Sequence, residues 1–232
     1  MSVTSEAKVG DIATQYPLAT RVFARHGIDF CCGGGKPIAE VCTKAGLDVS
    51  AVLAEIESEI TNRETKAVRW DERPLNELIE HILSTHHRPL DEELPRLQAL
   101  AQKVHDVHVD KAPDMLSGVL SVFSALRTEL EQHMLKEEKV LFPMILAGQG
   151  AMTGGPVVVM EQEHEVAGAA LKQLRALTNN FEVPEGACNS WRALWAGLEA
   201  IEQDLHEHIH LENNILFPRA LSSGPMPLGE SR

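Results

Sequence analysis

Residues 133–143 read HMLKEEKVLFP, and residues 208–218 read HIHLENNILFP. Both stretches fit the pattern H-x-x-x-E-x-x-x-L-F-P. One histidine stands at a similar distance before each copy: His87 lies 46 residues before the first copy, and His164 lies 44 residues before the second. The sequence is therefore an internal duplication, and each half holds one separate histidine and one His-x-x-x-Glu motif.

The four-residue spacing places histidine and glutamate on one helix face. Residues i and i+4 lie above one another, so His133 and Glu137 point the same way, as do His208 and Glu212. Apolar residues continue each of these faces, and a third apolar face surrounds His164. The predicted faces are Val119, Val122, Leu126, Leu130, Val140 and Met144; Leu194, Leu198, Ile201, Leu205 and Ile215; Val157, Met160, Ala167, Leu171 and Leu174. Because a buried carboxylate needs a partner or a metal, two carboxylates in equivalent places with four histidines indicate metal.

The predicted ligand types favour a particular metal. Four imidazoles and two carboxylates exceed what one tetrahedral zinc uses, and they suit two ions with both glutamates bridging. Nitrogen and oxygen ligands without thiolate favour iron, with manganese as a weaker choice. Two carboxylates would neutralise only part of the charge of two ferrous ions, and an oxide, hydroxide or water bridge would complete the balance. The predicted cofactor is a non-haem di-iron centre, oxo- or hydroxo-bridged, with positions open to a small ligand.

The rest of the chain predicts an all-α protein with two domains. Leu, Ile and Val recur at three- and four-residue spacing, and no stretch alternates as an exposed strand would. Residues 1–62 predict a small helical domain, 63–74 a linker, 75–221 an up-down four-helix bundle and 222–232 a disordered tail. The predicted helices are 11–15, 18–26, 38–45 and 50–60 in the small domain, and roughly 75–106, 114–147, 156–179 and 187–221 in the bundle.

Composition narrows the class of protein further. The 232 residues carry 34 acidic and 21 basic side chains, a net charge of −13, which argues against a nucleic-acid partner. No apolar run approaches the ~20 residues of a membrane helix, and the first 15 residues lack the apolar stretch of a signal peptide. We therefore expect a cytoplasmic protein with neither nucleic-acid nor membrane partners.

Several strings resemble a known family. The duplicated motif, together with HHRP at 86–89 and EHE at 163–165, resembles the hemerythrin-like di-iron domain. The string RVFARHGIDFCCGGG at 21–35 resembles the small domain that precedes it in the repair-of-iron-centres proteins. The resemblance covers about residues 8–221. It implies a stress protein that helps to restore iron–sulfur clusters damaged by nitric oxide or peroxide.

The resemblance also implies site residues and partners. The implied di-iron ligands are His87, His133, Glu137, His164, His208 and Glu212. Periodicity alone does not choose between His86 and His87, and the family register favours His87. The implied partners are damaged or apo iron–sulfur proteins, with nitric oxide or dioxygen as small ligands. Oxygen-carrying hemerythrins have a fifth histidine without a clear counterpart here, which weakens an oxygen-carrier function.

Three functions remain open at this point. An iron donor, which supplies iron from a labile site, comes first on the resemblance alone. A di-iron enzyme that reduces nitric oxide would retain its metal, and a sensor of oxygen or nitric oxide would bind its ligand reversibly. The residues leave open whether the chain is an enzyme. A weak homodimer through the first domain is compatible with the sequence, although no pattern indicates it.

The cysteines suggest a second functional group. Cys31 and Cys32 precede three glycines, and a vicinal pair at such a turn can present thiolates to backbone N–H groups, which lowers their pKa. We predict a candidate catalytic role as a redox or iron-handling pair that works with the di-iron site. The alternative is two buried thiols at a tight turn. Cys42 is predicted to be a core residue, and Cys188 receives no role.

Acidic residues near the predicted ligands offer a further hypothesis. Glu129 lies one turn before His133, and Glu163 adjoins His164, so the two carboxylates would suit a route by which iron enters or leaves. The alternative is a solvated edge of the bundle. We predict ordinary surface charges at Glu138 and Glu165. Among the remaining histidines, His81, His206 and His210 are predicted to face solvent or helix neighbours. His105 and His108 are predicted to lie near a helix end, where a cation is favoured, and His26 to cap a helix.

Overall fold

The computed structural model describes residues 3–62 and 68–223. Within these ranges the regular structure is helical, and the nearest approach to a sheet is one isolated bridge between Lys8 and Pro37. The predicted all-α class is confirmed. Residues 63–67 of the predicted linker and 224–232 of the predicted tail lie outside the described residues. Among the described helices, none combines the length and the apolar character needed to cross a bilayer.

The front of the chain forms a small domain with its own core. Its helices are α1 (Val9–Gln15), α2 (Ala19–Arg25), α3 (Ile38–Ala45) and α4 (Val49–Asn62). They bury an apolar cluster that includes Phe23, Ile38 and Ile56. His26 is the C-cap residue of α2, as predicted, and Gly27 follows with a φ of +63°, which glycine adopts without strain.

The rest of the described chain forms the bundle. Its helices are α5 (Leu75–Ile82), α6 (Arg88–His108), α7 (Pro113–Lys136), α8 (Phe142–Leu146), α9 (Gly154–Leu177), α10 (Asn189–Leu211) and α11 (Phe217–Ser222). One π-helical turn joins α5 to α6, another joins α7 to α8, and a third joins α10 to α11. With α9 they make four long segments, in which α6 packs against α7 and α10, and α7 packs against α9.

The three π-helical turns have a common cause in the sequence. They span Leu83–His87, Glu137–Leu141 and Glu212–Leu216, and each ends two residues before a proline (Pro89, Pro143 and Pro218). Proline lacks an N–H group and its ring crowds the carbonyl four residues earlier, so the ordinary ladder cannot continue through it. The wider turn, closed by a hydrogen bond across five residues, accommodates the proline.

One predicted apolar face, the one that includes Val140, differs from the structure because of a wide turn. Val140 was expected in the core, but 49% of its surface is exposed, whereas Leu141 and Phe142 are buried. The turn Glu137–Leu141 adds a residue to the helical repeat, so the buried face moves one position along the chain. The 3.6-residue period therefore fails beyond Glu137, whereas beyond Glu212 the predicted core residue Ile215 is buried.

The small domain contacts the bundle beside the third wide turn. The side-chain amide of Asn214 donates to the backbone oxygens of Phe30 and Cys31, at 3.3 and 3.2 Å. The Phe30 ring covers His210, whose centroid lies 5.6 Å away, and it also contacts His206. Of the two predicted surroundings of His210, solvent or a helix neighbour, the structure shows the neighbour: Asn214 lies 3.1 Å from its Nδ1. Only 3% of the residue is exposed, because the small domain covers it, which the pattern of one helix does not reveal.

Part of the predicted linker also contacts the bundle. Trp70–Glu72 form a short 3-10 turn, and the Arg219 guanidinium donates to the backbone oxygens of Trp70 and Arg73, at 2.9 and 2.8 Å. The domain boundaries themselves stay a prediction.

Candidate metal centre

The six predicted ligand residues lie together inside the bundle. All are between 0% and 4% exposed. We call His87 and His208 the first pair, and His133 and His164 the second pair. Each pair forms a compact group with the same two carboxylates, Glu137 and Glu212, and the ligand atoms of each group lie within 4.8 Å of one another. The structure brings the six residues together, and their role as ligands stays a prediction.

Each carboxylate contacts one histidine of each pair. Glu137 Oε2 lies 3.4 Å from His87 Nε2 and 3.5 Å from His133 Nε2. Glu212 Oε1 lies 3.0 Å from His208 Nε2, and its Oε2 lies 3.2 Å from His164 Nε2. Both carboxylates are therefore positioned to bridge two ions.

The second pair shows most clearly that the residues fit a cation. Nε2 of His133 and Nε2 of His164 are 3.0 Å apart. His133 Nδ1 donates to Glu163 at 2.9 Å, and His164 Nδ1 donates to Asn213 Oδ1 at 2.8 Å. When both imidazoles are neutral and carry their proton on Nδ1, as metal ligands do, their Nε2 lone pairs face each other, and without a metal a proton on His164 would relieve the repulsion. A cation bound by both nitrogens removes this repulsion.

Unpaired carboxylate oxygens indicate the same need. The side chains of Glu137 and Glu212 are both fully buried. Among the described residues, no well-aligned hydrogen bond reaches either oxygen of Glu137 or Oε2 of Glu212. Burying an unpaired carboxylate costs several kcal/mol. The donor set and its unpaired atoms fit a pair of metal ions.

The electrostatics of the site favour positive charge beside the carboxylates. Burial lowers the pKa of His87, but the Glu137 carboxylate close to its ring outweighs burial and raises this pKa to about 9. Burial likewise lowers the pKa of His164, but the adjacent Glu212 carboxylate outweighs burial and raises this pKa to about 9. Burial raises the pKa of Glu212, but the charge of His208, its hydrogen bond and the nearby His164 ring bring this pKa well below its usual range.

Polar residues behind the ligands orient them. Glu138 accepts a hydrogen bond from His87 Nδ1 at 3.0 Å and another from Arg88. The prediction of an ordinary surface charge at Glu138 is therefore wrong. Asn213, which received no prediction, holds His164 in the same way. A signal was present, because Glu138 and Asn213 each directly follow the glutamate of a motif.

The two acids of the predicted iron route lie beside the second pair. Glu129 is exposed, and Glu163 is half-buried, where it binds His133 and Lys136. Both line a narrow cavity of about 10 Å³ that also touches His133, His164 and His208. Such a volume holds about one water molecule. The structure thus places both acids next to the ligands, and the route stays a prediction.

The Cys31–Cys32 pair lies where the small domain meets the bundle. Cys31 packs into the bundle core, and its sulfur lies 3.9 Å from that of Cys32. Asp29 Oδ1 accepts hydrogen bonds from the N–H groups of Cys32 and Gly33, and contact of the thiolates with backbone N–H groups stays a prediction. A hydrogen bond from Cys31 lowers the pKa of Cys32 and raises that of Cys31. The pair lines a surface hollow that also contains Asn213.

The other histidines and cysteines are distributed as follows. His81 stacks on Trp70, and His105 contacts Ser117; both are partly exposed. Cys42 is fully buried, as predicted. His105 and His108 lie in the last turn of α6, as predicted, and His108 is 9% exposed and contacts Cys188 at the start of α10.

A duplicated helical bundle with buried His and Glu groups defines a class of cation-binding protein, and comparison with known families agrees. Residues 78–220 match the hemerythrin HHE cation binding domain, and residues 5–60 match a domain of unknown function, DUF542. The chain belongs to the hemerythrin HHE family, which confirms the resemblance read from its motifs.

Its relatives include two proteins named iron-sulfur cluster repair protein YtfE. One is from Yersinia pseudotuberculosis serotype O:1b (strain IP 31758), and the other is from Yersinia pestis (strain Pestoides F). Each is 45% identical over 213 residues, which cover 92% of this chain and 96% of the relative.

Proposed function

We propose that the chain is a di-iron protein that repairs iron–sulfur clusters damaged by nitrosative or oxidative stress, by supplying iron from a labile site. One observation carries the proposal: two buried histidine pairs share Glu137 and Glu212. The names of the relatives support damaged iron–sulfur proteins as clients. The residues that would hold iron are His87, His133, Glu137, His164, His208 and Glu212.

The donor set supports iron over other metals. Four imidazoles and two carboxylates without a thiolate suit ferrous iron better than Cu(I) or a structural zinc. Two irons would supply one-electron chemistry and open positions for a small ligand. The chain itself neutralises charge through Glu137 and Glu212. It fixes the orientation of three imidazoles through Glu138, Glu163 and Asn213.

We infer that iron leaves and returns past Glu129 and Glu163. Both carboxylates line the cavity that touches three of the four ligand histidines. Hard oxygen ligands bind ferrous iron weakly and reversibly, which suits passage rather than storage. Glu163 would link the passage of iron to its binding, because the same side chain accepts a hydrogen bond from the ligand residue His133.

The Cys31–Cys32 pair is proposed to assist as a redox or iron-handling group. Its support is position, since the pair lines a hollow with Asn213, the residue that orients His164. All four cysteines are free thiols, which suits a reducing compartment, and we propose that the protein works in the cytoplasm. A Cys31→Ala/Cys32→Ala protein that repaired clusters as well as the parent would remove this role.

The test of the function is iron content followed through repair. Anaerobically purified protein loaded with ferrous ions is expected to hold about two irons per chain. Incubation with a nitric oxide-damaged ferredoxin should restore the cluster spectrum while the chain loses iron. Fewer than about one iron per chain would overturn the di-iron site.

The same experiment separates the other two functions. Turnover of nitric oxide with the iron retained would indicate a reductase. Reversible ligand binding without repair would indicate a sensor.

A further inference from the structure

A second group of reactive side chains lies at the other end of the bundle. Cys188 is the N-cap residue of α10, and His108 is the last residue of α6. The sulfur of Cys188 lies 3.1 Å from Nε2 of His108. Because α10 rises 1.5 Å per residue, Cys188 is about 30 Å from His208, and the two sites are separate.

The imidazole of His108 is held against the sulfur. Only 9% of the residue is exposed, and the Trp191 ring packs against it with centroids 5.3 Å apart. Nδ1 of His108 has no hydrogen-bond partner among the described residues. A buried imidazole whose other nitrogen contacts a thiol has the geometry of a nucleophile and its base.

The backbone of α10 adds to this environment. The N–H groups of Trp191 and Ser190 in the first helical turn lower the pKa of Cys188, burial opposes them, and the charge of Lys103 assists. Unpaired N–H groups at a helix start carry partial positive charge, which stabilises a thiolate. The fully buried Cys42 differs, since burial raises its pKa.

We propose that Cys188 and His108 form a thiolate–imidazolium pair that reacts with small hydroperoxides, so that Cys188 is a site of oxidation. The thiolate sulfur attacks one peroxide oxygen, and the oxygen–oxygen bond breaks. The departing hydroxide (from hydrogen peroxide) or alkoxide (from an organic hydroperoxide) takes the proton from His108 Nε2 and leaves as water or an alcohol. The sulfur is oxidised to a sulfenic acid and the peroxide is reduced, so electrons and protons balance. Because Cys188 is only partly exposed, small peroxides are the favoured reactants.

Alkylation of the iron-loaded protein by iodoacetamide at pH 7 tests the pair. Trypsin cuts after Arg175 and Arg192, so the peptide 176–192 carries Cys188 as its one cysteine. The variant is His108→Gln, and its matched control is His105→Gln on the same helix, whose imidazole contacts Ser117 instead. We expect alkylation of Cys188 at least about tenfold slower in His108→Gln than in the parent or in His105→Gln.

Peroxide is then supplied, and the sulfenic acid is trapped with dimedone. The adduct should form on peptide 176–192 in the parent and in His105→Gln, and should fall by a similar factor in His108→Gln. Oxidation driven by the irons would give the same amount of dimedone adduct in both variants. Loss of the adduct in both variants, or in neither, would overturn the proposal.

A folding check keeps the test decisive. If His108→Gln retains the thermal midpoint of the parent and reacts as fast, the pair has no effect and the proposal is wrong. If His108→Gln does not fold, the parent is compared with the isolated peptide 176–192. Folded protein that reacts at least about tenfold faster supports the pair, and an equal or slower rate overturns it.

Discussion

The two histidine pairs share both carboxylates but differ in what holds their rings. In the second pair, both Nδ1 atoms have acceptors, Glu163 for His133 and Asn213 for His164. In the first pair, His87 Nδ1 has Glu138, whereas His208 Nδ1 has no partner among the described residues. Hydrogen bonds therefore orient both rings of the second pair so that each offers an Nε2 lone pair to a metal, whereas in the first pair they orient only His87.

The difference begins with one position of the duplication. Glu163 precedes the separate histidine of the second half, and His86 occupies the same place in the first half. Glu163 reaches across to His133. His86 instead binds Asp204 through Nδ1 at 2.8 Å, and its ring lies parallel to that of His208, 5.0 Å away. Both halves keep the ligands and an acceptor after the motif glutamate, but only the second half has an acceptor before its separate histidine, so we expect the second pair to bind iron more tightly.

The largest effect is expected at a carboxylate that both pairs use. Glu137→Gln removes the charge that faces His87 and His133, so the iron sites at both histidine pairs should lose affinity by at least about 100-fold. This is more than the loss of a hydrogen bond behind a ligand histidine should cost. Anaerobic ferrous titration with metal analysis measures this. The control Glu92→Gln, at an exposed position, should bind iron like the parent. Loss at one position alone would show that Glu137 does not bridge.

A smaller effect separates the pairs. His133→Ala should leave iron at the first pair, and His208→Ala should leave iron at the second, about one per chain in each case. Because the outer partners favour the second pair, iron remaining in His208→Ala should bind roughly tenfold more tightly than iron remaining in His133→Ala. Competition with a ferrous chelator gives both constants. Equal constants would mean that the residues behind the ligands do not matter.

The sequence predicts the ligands because they depend on spacing within a helix. His133 and Glu137 share a face whatever the rest of the chain does, and the duplication supplies the second set. Contacts between helices carry no such periodicity. The hydrogen bond from His87 to Glu138 joins residues 51 positions apart, and Phe30 meets His210 from another domain. These contacts therefore escaped prediction.

The choice between His86 and His87 shows the same limit. Both residues are buried, at 1% and 0% exposure, because they lie in a wide turn where adjacent positions face inward. Only the orientation of each ring separates them: His87 contacts Glu137, whereas His86 contacts Asp204. Periodicity describes a regular helix, and the prolines make the helix irregular at the site itself.

Removing single outer partners sharpens the comparison further. Asn213→Ala frees His164 Nδ1 and should weaken iron binding at the second pair by about tenfold, and Glu138→Ala should do the same at the first. Asn213→Asp keeps an acceptor oxygen and should retain affinity. Ferrous titrations of the three variants, each beside the parent, measure the effects. Equal weakening by Asn213→Ala and Asn213→Asp would indicate a loss of packing rather than of the hydrogen bond.

The smallest effect concerns the rate of iron exchange rather than affinity. The exposed Glu129 lies at the cavity beside the second pair, so Glu129→Gln should leave iron content unchanged and slow release to a chelator by roughly two- to fivefold, as loss of one steering charge would. Glu129→Gln/Glu163→Gln should slow it more, since Gln at position 163 keeps an oxygen for His133. Glu131→Gln, also exposed on α7, is the control. Unchanged release from the double variant would remove the route, and the more tightly held second pair would then exchange iron by another path.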